Sequence, residues 1–125
     1  MPPIAGKPVI LYISATDAAL GALLAQEDQN DKEHAIYYIS RTLVSYETKY
    51  SIIEKACLAV VFTSQKLRQY MIAHTTWLIA KIDPLKYLLS KAALTGHLAK
   101  WVMILNEFDI DYVEHKAIKG QAIAN

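Results

Sequence analysis

From Val9 to Ser14 the chain reads VILYIS, apolar at nearly every position, as a strand covered on both faces in the middle of a sheet would be. After a short turn, LGALLAQ (Leu20 to Gln26) makes a second apolar run, so the two predict a hairpin. The charged stretch Glu27 to Glu33 carries turn-forming Asp and Asn and separates that hairpin from a third strand, AIYYIS (Ala35 to Ser40). From about Ser45 the period becomes helical. Ile53, Cys57, Val60, Leu67 and Met71 form one stripe, expected against the sheet, while Leu58 and Phe62 project from nearly the opposite side, toward a second helix. TTWLIA (Thr75 to Ala80) predicts a fourth strand, and Asp83 before Pro84 predicts the N-cap and first turn of a short helix. Leu94, Leu98, Trp101, Val102 and Leu105 mark another helix, with Thr95 and Gly96 near its start, and FDIDYVEH (Phe108 to His115) a fifth strand. This order describes an α/β domain: a five-stranded mixed sheet, its first three strands antiparallel, flanked by helices.

A chain of 125 residues suits one domain that buries its apolar surface without disulfides. Residues 1–8, with three prolines and a glycine, predict an extended lead-in, and 9–125 the folded domain. The 13 Lys and Arg nearly cancel the 12 Asp and Glu, which argues against a protein that binds nucleic acid through bulk charge alone. The one cysteine, Cys57, lies in an apolar run with no His or Lys adjacent to lower its pKa, so a buried hydrophobe is expected rather than a nucleophile. The absence of an internal disulfide, a signal peptide or a membrane span leads to an expectation of an intracellular site, in a cytoplasmic particle or the nucleus.

The wording of the chain is more informative than its composition. ISATDAALGALLAQ resembles, without a gap, the first hairpin of the ribonuclease H domain in reverse transcriptases of gypsy-type LTR retrotransposons, through Ala15, Gly21, Ala22 and Gln26. AIYYISRTLVSYETKYSIIEKACLAVVFTSQKLRQYM resembles the next part of that family, including Ser40, Arg41, Leu43, Glu47, Tyr50, Glu54, Lys55, Leu58, Ala59, Lys66, Arg68 and Tyr70. The LTGHLAKW and KAIKGQA wording is similar to plant elements of the Tat lineage, in which the first ribonuclease H often decays into a tether while a second follows downstream.

The resemblance implies hydrolysis of RNA in RNA–DNA hybrids by two Mg²⁺ ions about 3.5–4 Å apart, held by a cluster of carboxylates. The family's first carboxylate falls on Ser14, the second on Ala56, and the third on Lys81, or on Asp83 after a two-residue shift. The fourth falls on Asn125, and the family's C-terminal helix is not expected within the chain. Glu54 points about 160° away from Ala56 around a helix and cannot replace it. Asp17 belongs to a turn, where Asp satisfies local backbone groups, and Asp83 has a sufficient role as an N-cap, although it is the one residual candidate for a metal.

The expected reading is therefore a catalytically degenerate ribonuclease H-like domain that needs no cofactor and serves as a structural tether. Its partners would be the polymerase and downstream modules of a parent polyprotein, with no role for a membrane. The alternatives are an active Mg²⁺-dependent endoribonuclease and a host-adopted interaction module. Lys49, Lys55, Lys66 and Arg68 are candidates for weak residual contact with a hybrid, by the resemblance. His34, His74, His97 and His115 show no metal-ligand spacing, and Trp77 and Trp101 fall at core spacing.

Overall fold

The computed structural model describes residues 3–91 and 96–114. Leu94, Thr95, His115 and Asn125 lie outside the described residues. Five strands make one sheet: β1 (Val9–Ala15), β2 (Ala19–Glu27), β3 (Glu33–Thr42), β4 (Thr76–Ile79) and β5 (Ile110–Tyr112), in the order β3-β2-β1-β4-β5. β1 pairs antiparallel with β2 and β2 with β3, while β1–β4 and β4–β5 are parallel. Helices α1 (Ile52–Lys66), α2 (Arg68–Ala73), α3 (Pro84–Lys91) and α4 (Gly96–Leu105) complete the mixed α/β fold. The fifth strand is shorter than the apolar alternation from Phe108 suggests.

Strand alternation divides the sheet into two faces. Val9 and Leu11 of β1, with Leu20, Ala22 and Leu24 of β2, face the helices and join one core with Cys57, Val60, Leu67, Met71, Leu98 and Trp101. Ile10, Ala25 and Ile79 are buried on the other face. The turn between β1 and β2 is secured by Thr16, not Asp17: its Oγ1 accepts from the N–H groups of Ala18 (3.4 Å) and Ala19 (3.1 Å).

The lead-in is tied to the sheet. The buried Gln26 side chain accepts from Ile4 N–H at 2.7 Å and donates to the carbonyls of Ile4 and Lys7, both at 3.0 Å. The Lys7 ammonium donates to Asp28 O at 2.7 Å, on the β2–β3 turn.

Helix α1 starts on a capping box. Ser51 Oγ accepts from Glu54 N–H and Glu54 Oε1 from Ser51 N–H, so two otherwise orphaned donors are satisfied reciprocally. Near its end Thr63 Oγ1 donates to Ala59 O (2.7 Å) and Ser64 Oγ to Val61 O (2.8 Å). Such back-bonding distorts a helix, and the long predicted helix breaks at Leu67 (φ −112°, ψ 32°) into α1 and α2. Phe62 differs from the sequence expectation: it turns toward β3, with the Arg41 guanidinium 5.4 Å from its ring centroid, and is only half-buried. The period of a helix fixes the angle of a side chain but not which neighbour fills that angle.

Thr76 Oγ1, at the start of β4, is fully buried and unpartnered. Thr76→Val replaces that hydroxyl with a methyl of similar shape, and an unmatched buried hydroxyl costs about 1–3 kcal/mol. The variant is expected to melt in urea at a midpoint equal to or above that of the parent. A midpoint lowered by more than about 1 kcal/mol in free energy would reveal a hydrogen bond to that hydroxyl.

Candidate functional site

The chain leaves β1 toward β2 on one side and leaves β4 through α3 and α4 toward β5 on the other. The carboxyl ends of β1 and β4 therefore flank a topological switch point, where open α/β sheets form ligand crevices. A cavity of about 690 Å³ lies there, lined by β1 (Tyr12, Ile13), β4 and its end (Ile79, Ala80, Lys81), and β5 and its end (Tyr112, Glu114). The β1–β4 ladder runs in register to Tyr12 opposite Ile79. Two residues further along each strand come Ser14 and Lys81, both exposed.

At Gly21 a Cβ would come within 2.9 Å of Ser14 Oγ, so glycine leaves room for the side chain at position 14 beside β2. Ala56 lies in the first turns of α1. Its neighbour Cys57 donates from Sγ to Pro84 O at 3.4 Å, which brings this part of α1 to the β4–α3 junction that carries Lys81 and Asp83. Burial pushes the Cys57 thiol up to about 12, as suits a core residue rather than a nucleophile. Asp83 Oδ1 accepts from the N–H groups of Leu85 (2.9 Å) and Lys86 (3.1 Å), so it is the N-cap of α3. The Tyr112 hydroxyl donates to Ala80 O at 3.0 Å, and its pKa is raised by burial and by the charges of Asp83 and Glu114.

Two divalent ions of the kind the resemblance implies need a shared set of oxygen anions. Ser14, Ala56 and Lys81 offer a hydroxyl, a methyl and an ammonium. These do not fit such ions, and among the described residues no three His, Cys, Asp or Glu side chains form a group that could hold a metal. Glu54 is occupied elsewhere: besides capping α1 it lies 3.6 Å from His97 Nε2, and the His97 ring stacks on Tyr50 and meets Trp101 edge-on.

The four basic candidates do not form one patch. Lys55 is buried and Lys49 is exposed on a 3-10 turn, Glu47–Lys49. Lys66 is exposed at the end of α1, and Arg68 is paired with Glu107 at 2.7 Å. The histidines are likewise dispersed: His34 pairs with Asp28 and His74 Nδ1 lies 3.0 Å from Lys7 O.

The sequence names Arg41 and Glu47 only as matching positions; in the fold the buried Glu47 carboxylate accepts from Arg41 Nη1 and Nη2, both at 2.8 Å, and from Val44 N–H at 2.9 Å. The bonds from Arg41 hold Glu47 below the ordinary value of 4.5, and the Ser51 backbone N–H does the same for Glu54. Both therefore contribute stability that is full above pH 4.5 and is lost as pH falls through their lowered values. Thermal melts are expected to fall from that pH downward, and the Glu47→Gln/Glu54→Gln variant to show a shallower decline. An equally steep decline in the variant would assign the acid sensitivity to other groups.

Residues 5–108 match the family described as the RNase H-like domain found in reverse transcriptase. The chain is 35% identical over 112 residues to the retrovirus-related Pol polyprotein from transposon 297 of Drosophila melanogaster, covering 88% of this chain and 10% of that protein. Its identity to the Pol polyprotein from transposon opus, also of Drosophila melanogaster, is 32% over 120 residues, covering 95% and 12%. The chain thus spans about a tenth of these relatives. Among solved structures, the foamy viral protease-reverse transcriptase in complex with dsDNA has the same fold at a TM-score of 0.73 and 15% identity, covering 93% of this chain and 25% of that one. The same viral protein in complex with RNA/DNA hybrid aligns at 0.67 and 14%, covering 90% and 16%.

Proposed function

The chain belongs to the RNase H-like domains found in reverse transcriptase, and from that premise we propose that it is a catalytically degenerate member acting as a structural tether in a retroelement polyprotein. The observation that carries this reading is the register of β1 and β4. Ser14 and Lys81 each follow the last printed pair, Tyr12 opposite Ile79, by two residues, which supports reading them at neighbouring strand ends, where the ungapped alignment sets two of the family's carboxylates. In this reading Lys81 takes the third position, and the helix-capping bonds of Asp83 to Leu85 and Lys86 N–H support that choice. An ammonium there repels divalent ions, and neither a hydroxyl nor a methyl supplies the missing charge.

The parent is proposed to be a gypsy-type LTR element close to the plant Tat lineage, acting within the cell. The domain's partners are the polymerase and the modules downstream of it. What supports a structural role is the contrast between the site and the rest: the core, the capping box and the Gln26 clamp are intact while the family's carboxylate positions are not. Primer extension by the parent polyprotein tests the role. Deleting the domain is expected to impair extension and Ser14→Ala to leave it unchanged, whereas full extension without the domain would overturn the tether reading.

A further inference from the structure

A second concavity, of about 460 Å³, lies between the free edge of β3 and the α1–α2 junction, away from the switch-point crevice. Tyr37 and Ile39 enter it from β3, on the helix-facing side that their partners Leu24 and Ala22 define. Phe62 and Lys66 enter from α1, and Gln69 and Tyr70 from α2. Its walls are thus aromatic, and Tyr37 is 50% exposed.

Its polar groups are unspent. Among the described residues, the side chains of Tyr37, Lys66, Gln69 and Tyr70 make no hydrogen bond or ion pair; Lys66 only lies 6.0 Å from the Phe62 ring centroid. Among the described residues, no acidic side chain lines the groove. A groove with aromatic faces, a lysine ammonium, an amide and phenol hydroxyls suits a ligand that joins a flat ring to an anion. We infer that this groove binds single-stranded nucleic acid, with a base against Tyr37 or Tyr70 and the adjoining phosphate at Lys66. A duplex keeps its bases stacked on each other and offers the aromatic walls nothing. The ligand is therefore an unpaired segment, and this inference stands whether or not the domain cuts hybrids.

The test is fluorescence anisotropy of a short labelled oligothymidine with the full chain, with a DNA duplex of the same length as competitor. Tyr37→Ala is expected to weaken binding roughly 5- to 150-fold, the range for loss of one base-stacking side chain. Lys66→Ala is expected to weaken it and to lower the salt slope by about 0.7, as for one single-strand phosphate contact. Lys91→Ala, at an exposed lysine on α3, is expected to do neither. Thermal melts of each variant separate loss of binding from loss of fold; if Tyr37→Ala unfolds, Lys66→Ala and its salt slope carry the test. Undetectable binding, equal competition by the duplex, or an equal loss in Lys91→Ala would overturn the inference. So would self-association through the β3 edge that Ile39→Pro abolishes in the absence of oligonucleotide binding.

Discussion

Trp101→Ala is expected to lower the stability of the domain by about 3–5 kcal/mol, the range for truncating a buried aromatic. Trp101 is 8% exposed and lies in the core with Leu58, Leu98 and Leu105. Its ring also meets Tyr50 and His97 edge-on, at 5.8 Å and 5.0 Å between centroids, so one side chain joins α4 to the segment that leads into α1. Phe62→Ala is expected to cost less, about 1–2 kcal/mol, because the ring is half-buried under Arg41 at the sheet edge and solvent already reaches it. Urea denaturation of the two variants checks the order. A larger loss at Phe62 than at Trp101 would mean that α4 is held by contacts other than this aromatic cluster.

The second large effect concerns the switch-point crevice. Two-metal binding depends on several carboxylates at once, so Ser14→Asp or Ala56→Glu alone adds one anion beside Lys81 and is expected to leave hybrid cleavage absent. Lys81→Asp alone removes the repulsion without completing a ligand set. Ser14→Asp, Ala56→Glu and Lys81→Asp together place three carboxylates at positions that the resemblance assigns to them. That triple variant is expected to bind Mn²⁺, read by paramagnetic broadening of amide signals near residues 14, 56 and 81, where each single variant shows none. Cleavage from any single variant would mean that more of a catalytic cluster survives than the tether reading allows.

How much of this was legible in the sequence depended on the range of the interaction. Asp83 before Pro84 announced a helix start because capping is local, and the three first strands followed from unbroken apolar runs. The Ser51/Glu54 capping box is equally local, with its signal in SIIE, three residues apart. The Gln26 clamp had no such signal, since its partners are backbone atoms 19 and 22 residues away. Charge alone puts Lys55 on the surface, whereas in the fold the residue is 7% exposed. The positions of Ser14 and Lys81 at neighbouring strand ends came from the alignment and needed the strand register to give them a geometry. The groove beside β3 stayed hidden because it is lined by β3 and by the α1–α2 junction, which the 3-10 turn and most of α1 separate in the chain.

The central claim meets its most direct test in a single assay: purified chain, a labelled RNA–DNA hybrid, and Mg²⁺ or Mn²⁺, with the Asp83→Asn variant run beside it. The account predicts intact RNA in every lane. Metal-dependent cleavage by the parent chain that disappears on Asp83→Asn would contradict it, by showing that Asp83 serves a catalytic cluster rather than a helix cap.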